Sequence, residues 1–133
     1  MTKCLKIFYV LLLSVLITVP ASAQLVEKIQ AAAKECGLTV SDIKPLEPSK
    51  KLKALYSEKY QFFVEQPIDH TNPSLGTFKQ KVVLLHCGYD RPTVFVTEGY
   101  TSRGANPNYS NELSTMFNAN LIEVEHRYFK ESI

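Results

Sequence analysis

Thr77-Phe78-Lys79-Gln80-Lys81-Val82-Val83-Leu84-Leu85-His86 is the stretch that decides the fold. It starts with polar and apolar residues interleaved and ends in the unbroken run Val82-Val83-Leu84-Leu85, the signature of a strand entering a core. Upstream, residues 60–66 hold Tyr60, Phe62, Phe63 and Val64 before Pro67 stops them. Asp69-His70-Thr71-Asn72-Pro73 and Gly76 form a polar turn between the two strands, which predicts an antiparallel hairpin. Downstream, Gly88-Tyr89-Asp90-Arg91-Pro92 is a second turn, and Thr93–Thr97 is a short apolar strand ended by Gly99. Residues 101–110 form a polar loop containing Gly104 and Pro107. Residues 111–118 form a short helix capped by Ser110 or Asn111. Residues 121–124 are another strand of buried type, leading to His126-Arg127-Tyr128-Phe129. A strand–helix–strand connection is right-handed and makes the last pair parallel. The fold class is therefore α/β, with a mixed sheet that is antiparallel at its start and parallel at its end.

Further toward the N-terminus, residues 25–36 read as a helix. Ala31, Ala32 and Ala33 favour it, Gly37 stops it, and Leu25, Ile29 and Ala32 form its apolar side. Residues 38–53, with Pro45, Pro48 and Lys50, Lys51 and Lys53, have the composition of a surface linker, and the lysines read as a solvated turn rather than an anion-binding patch. The first 23 residues form an export signal. Lys3 and Lys6 give a positive start, residues 7–19 are apolar apart from Ser14 and Thr18, and Pro20 precedes the small residues Ala21-Ser22-Ala23. The apolar run of 13 residues is shorter than the roughly 20 that span a bilayer, which argues against an uncleaved anchor. Cys4 precedes that run, so no lipid-attachment Cys follows it. The expected organisation is a signal at 1–23, a helix and linker at 24–55, and a partial domain of α/β-hydrolase-like pattern at 56–133. Its location is secreted or periplasmic, with no membrane association after cleavage.

Removing Lys3 and Lys6 lowers the 15 basic residues to 13, equal to the 13 acidic ones. A mature chain near neutrality gives no case for nucleic acid. Cys36 and Cys87 lie far apart on a predicted helix and a strand end, and two free thiols are expected rather than a bridge. His70, His86 and His126 lack the spacing of a zinc site, and no metal or other cofactor is expected.

Four segments carry a family resemblance. Gln66-Pro67-Ile68-Asp69-His70-Thr71-Asn72-Pro73 resembles a QPxDHxNP motif, and Thr77-Phe78-Lys79-Gln80-Lys81 resembles the TFxQR strand that follows it. Thr97-Glu98-Gly99-Tyr100 and Glu125-His126-Arg127-Tyr128-Phe129 resemble the later xxGY and EHRY(Y/F) landmarks. Together, in this order across residues 60–132, they resemble the secreted prolyl tri- and tetrapeptidyl aminopeptidases, with lysosomal Pro-X carboxypeptidases and dipeptidyl peptidases as distant relatives. Residues 24–55 match no such motif. The resemblance implies an α/β-hydrolase fold, in keeping with the mixed-sheet pattern, a Ser-His-Asp/Glu triad, and a peptide substrate shortened from its N-terminus. The nucleophile of such folds sits on a G-x-S-x-G elbow after the strand at 121–124, and no such pattern occurs in the chain. The triad is therefore expected outside these residues, and the chain is expected to be an N-terminal portion that is inactive alone.

Under that resemblance, Gly99 and Tyr100 occupy the loop that supplies an oxyanion N–H. Glu98 and Glu125 stand at strand C-termini, where ligands approach open sheets, and a carboxylate there suits a substrate α-ammonium. The plainer alternative for these carboxylates is a salt bridge to Arg127 or Arg103. His126 reads as structural, because the triad His of this fold comes last in the chain. Arg127 and Tyr128 read as buttresses of the loop that follows the strand, and Asp69 with His70 as turn caps. Ser102 and Ser110 have no evident base. The competing reading is a small complete exported domain that binds a partner through its sheet edge without catalysis. In the portion reading, residues 121–124 form an unpaired apolar edge and the isolated chain is poorly soluble.

Overall fold

The computed structural model describes residues 21–97 and 102–133. Five strands form one sheet: β1 (Val40–Pro45), β2 (Glu58–Pro67), β3 (Thr77–His86), β4 (Thr93–Thr97) and β5 (Asn120–Val124). Their spatial order is β1-β2-β3-β5-β4, with every neighbouring pair antiparallel except β4 and β5, which are parallel. Among the described residues three α-helices accompany them: α1 (Ala21–Glu35), α2 (Lys50–Lys53) and α3 (Glu112–Met116). The α/β class, the hairpin and the parallel closing pair are as the sequence predicts.

The hairpin is in register from Glu58↔His86 to Pro67↔Thr77, so Tyr60, Phe62 and Val64 share one face with Leu84 and Val82. α1 lies over that face, burying Leu25 and Ala33, and an apolar groove remains between Ile29, Cys36 and Leu38 on its side and Val64, Leu84 and Ile122 on the sheet. Ala33, rather than the expected Ala32, is the buried alanine. α1 ends as predicted. Gly37 adopts φ 68°, Leu38 N–H reaches Ala33 O at 2.8 Å and Gly37 N–H reaches Lys34 O at 3.1 Å, the paired closing bonds that a left-handed residue permits. The helix also extends upstream through Ala21-Ser22-Ala23, and the Tyr60 hydroxyl donates to Ser22 O at 3.1 Å.

The opposite face holds the main core of Leu52, Tyr56, Val83, Leu85 and Leu121, closed by the loop residues Ala105 and Tyr109. The Tyr56 hydroxyl meets Ser114 Oγ at 2.6 Å, tying α3 to this core. Asn111 caps α3 by accepting from Leu113 N–H and Ser114 N–H, one of the two caps expected. Asn120 is buried and fully engaged. Its Oδ1 accepts from the Cys87 and Gly88 amides, and its Nδ2 donates to Gly88 O and Arg91 O, which shapes the 88–92 turn.

Two expectations are corrected. Residues 38–53 are not a draped linker: β1 pairs with β2 from Val40↔Val64 to Pro45↔Tyr60. A register shift between Ser41 and Lys44, with Asp42 at φ 54°, breaks the two-residue alternation that marks a strand, and Pro45 is tolerated because β1 is an edge. The lysine cluster there is one turn of helix, capped by Ser49, with Leu52 buried between exposed lysines. Residues 121–124, expected as an unpaired edge, lie inside the sheet, because the crossover returns β5 between β3 and β4.

Leu121, wholly buried on an interior strand, and Leu75, 59 % exposed on the β2–β3 turn, provide a contrast. Leu121→Ala is expected to cost about 2–5 kcal/mol, whereas Leu75→Ala stays within about 0.5 kcal/mol, measured by urea unfolding.

Candidate functional site

The parallel pair defines the end of the sheet where a site belongs, since ligands of open α/β sheets collect beyond the strand C-termini. The last register pair of β4 and β5 is Thr97↔Val124, so Glu98 and Glu125 each come directly after it. Glu98, Gly99 and Tyr100, the expected amine anchor and oxyanion residues, lie outside the described residues. So do residues 1–20 of the expected export signal.

Glu125 is buried, and its carboxylate organises the turn after β5. Oε2 accepts from Ser132 Oγ at 2.9 Å and from Glu131 N–H at 3.1 Å, while Oε1 is buried without a hydrogen bond among the described residues. Ser132 Oγ in turn accepts from Lys81 N–H at 3.0 Å, which joins the turn to β3. Lys81 Nζ pairs with Glu131, and that bond holds the Glu131 carboxyl below its usual range. Tyr128 and Lys130 take φ of 70° and 42°, left-handed conformations that this network maintains. Neither arginine pairs with Glu125 in the way the plainer alternative expected.

Arg127 connects two of the sequence motifs. Its guanidinium donates to Pro67 O at 3.3 Å and Ile68 O at 2.5 Å and lies 4.4 Å over the Phe78 ring. The expected buttress is thus aimed at the β2–β3 turn. Within that turn, Asp69 Oδ1 accepts from Thr71 N–H at 2.8 Å and Thr71 Oγ1 at 2.7 Å, bonds that lower the Asp69 pKa. This is the turn cap that the sequence suggested, and His70 is exposed beside it. His126 is exposed, with Nδ1 3.3 Å from Arg127 O and its ring edge-on to Phe129.

A second polar cluster lies beneath the loop after β4 and escaped the sequence reading. Glu123 is wholly buried, and its Oε1 accepts from Arg103 N–H at 2.6 Å. Gly104 packs so closely that an added Cβ would overlap Glu123 Oε2 and lie 3.0 Å from Val83 Cβ. Lys59 Nζ donates to Asn106 O at 2.7 Å. Burial pushes the Lys59 ammonium down to about 8, against the opposing pull of the Glu123 carboxylate. The one visible signal was Glu123 itself, a charge inside an otherwise apolar strand.

Nucleophilic machinery is not assembled among the described residues. Ser102 Oγ is enclosed with no hydrogen-bond partner there. Ser132 faces a carboxylate, but it is wholly buried and already accepts a backbone N–H. Cys36 and Cys87 are free thiols, as expected, and burial raises the Cys87 pKa. No group of three or more His, Cys, Asp and Glu side chains gathers as a metal site among the described residues.

The fold and this end of the sheet define an α/β protein whose motif residues frame the C-termini of a parallel strand pair. The family described as PS-10 peptidase S37 matches residues 25–133, and the chain belongs to that family. It is similar to the prolyl tri/tetrapeptidyl aminopeptidase of Streptomyces mobaraensis, 43 % identical over 76 residues. That match covers 55 % of this chain and only 16 % of the relative, so the chain spans a minor part of that protein's length.

Lys59 provides a pH signature. The folded chain releases its proton near pH 8 and the unfolded chain near 10.5, so between these values the unfolded state holds more protons and stability rises with pH. Lys59→Met should flatten that rise, read from urea midpoints across the window. Gly104→Ala should cost about 1–3 kcal/mol in the same assay, because its methyl group has no space beside Glu123.

Proposed function

We propose that this chain forms the opening part of the α/β-hydrolase domain of an exported serine aminopeptidase that releases short peptides from polypeptide N-termini. The observation that carries this is the joint placement of the motifs. The segment after β5, the turn after β2 and the start of β3 meet through Arg127 at the C-terminal end of the parallel pair. Membership of the peptidase family and the likeness to an aminopeptidase support it over a small non-enzymatic binding domain.

In this reading the chain supplies framework and part of the substrate cleft. Gly99 and Tyr100 follow β4 and offer oxyanion N–H groups, and Glu98 draws the substrate ammonium. Glu125 contributes through Oε1, the oxygen its own turn leaves unused. The nucleophile, base and acid come from polypeptide outside these residues, since no G-x-S-x-G elbow occurs in the sequence. Export rests on residues 1–23; no helix among the described residues is long and apolar enough to cross a membrane.

Residues 1–133 alone are expected to leave an Ala-Ala-Pro chromogenic peptide uncleaved. An enzyme carrying this chain joined to a G-x-S-x-G segment is expected to cleave it and to be silenced by a serine-directed phosphonate. Cleavage by the 133-residue chain would refute the assignment of the triad elsewhere, and an inert longer protein would refute the peptidase reading. N-terminal mass spectrometry of exported material should begin at Gln24.

A further inference from the structure

Helix α1 runs without a break through the junction expected for removal of the export signal. Its range, Ala21–Glu35, holds the last signal residues Ala21-Ser22-Ala23 and the first mature residue Gln24. Ser22 is tied to the sheet, because the Tyr60 hydroxyl donates to its carbonyl oxygen at 3.1 Å. Loss of residues 1–23 therefore takes the partner from a hydroxyl whose residue is only 5 % exposed. It also leaves a free α-ammonium on Gln24, two residues and so about 3 Å along the helix axis from Ser22. That ammonium begins a helix whose dipole is positive at the same end and repels it.

The surroundings supply what that terminus lacks. Ser22, Glu58 and Tyr60 line one cavity of about 210 Å³, and the other charged groups at its wall are Glu47, Lys53 and Lys59. Glu47 and Lys53 pair with each other at 2.9 Å, and Lys59 Nζ donates to Asn106 O at 2.7 Å. Glu58 is left over: its Oε1 is buried and has no hydrogen bond among the described residues. It is also close to Tyr60, since burial first and then the Glu58 charge raise the pKa of that hydroxyl. A buried carboxylate oxygen without a donor is costly and calls for a cation. We propose that the cavity between β2 and the start of α1 binds the chain's own mature N-terminus: once residues 1–23 are removed, the Gln24 α-ammonium donates to Glu58 Oε1 and to the Tyr60 hydroxyl oxygen that had held Ser22. The carboxylate then offsets the helix dipole, and Leu25 and Ala33 keep the shortened α1 docked on the sheet. The site rests on the export reading above and is independent of the peptidase activity.

Glutamine at this terminus provides the readout. A free N-terminal glutamine cyclises when its unprotonated amine attacks its own side-chain carboxamide carbon. The new C–N bond forms as the side-chain nitrogen leaves as ammonia. A carboxylate that keeps the amine protonated withholds the attacking lone pair. The test uses the exported protein that carries this chain, held at neutral pH and followed by mass spectrometry of its N-terminal peptide. Wild type is expected to keep an uncyclised Gln24. Glu58→Gln should lose ammonia about tenfold faster, the change in free-amine fraction when one nearby carboxylate is removed. Acetylation of the terminal amine by an added reagent should speed up in parallel. Tyr60→Phe, which deletes only the hydroxyl, should shift both rates in the same direction, and it decides the matter if circular dichroism shows Glu58→Gln unfolded. A wild-type terminus found already cyclised, or one that cyclises at the rate of the variants, overturns the site while export stands. A first residue other than Gln24, or residues 1–20 still attached, overturns the export reading and the site with it.

Discussion

Pairing of β5 on both sides is the constraint from which most of this structure follows. Leu121 and Glu123, on one face of β5, and Glu125, directly after it, are all buried. The leucine is satisfied by packing. The two carboxylates need donors, since an unpaired buried charge is among the costliest features a fold can carry. Glu123 draws the Arg103 amide and the loop after β4 down onto the sheet. Glu125 draws Ser132 and Glu131 back over β3. The loops after β4 and after β5 are thereby held by buried carboxylates on β5 and at its end.

The same strand links core to site. Glu123 lies beneath the loop that follows β4, and Glu125 stands where β5 leaves the sheet, so the framework of the C-terminal end is set by buried electrostatics. Arg127 extends it outward to the β2–β3 turn by binding carbonyl oxygens and covering Phe78. Two family motifs about 60 residues apart are therefore halves of one contact.

The two sheet margins carry opposite chemistry, and the difference is informative about architecture. β1 is twisted, charged and ended by proline, and α1 lies beside it on one face. β4 is short, apolar and regular. Among the described residues, then, one margin of the sheet carries the marks of a protected edge and the other does not.

Sequence alone determined the α/β class, the hairpin, the parallel closing pair, the cap at Asn111, the stop at Gly37 and the Asp69 turn. Each rests on a local signal: residue alternation, a capping side chain, a glycine that accepts positive φ, or the fixed hand of a crossover. The four motifs likewise led to the family before any geometry was known. Tertiary structure decided the rest. Pairing with β2 turned a proline-containing, bulged segment into β1, a gain that no local pattern encodes. Insertion of β5 between β3 and β4 made an expected edge an interior strand, because sequence order does not dictate spatial order. The partners of Glu123, Lys59 and Arg127 were decided there too: they lie on strands and loops distant in the chain, and only the fold brings each charge to its partner.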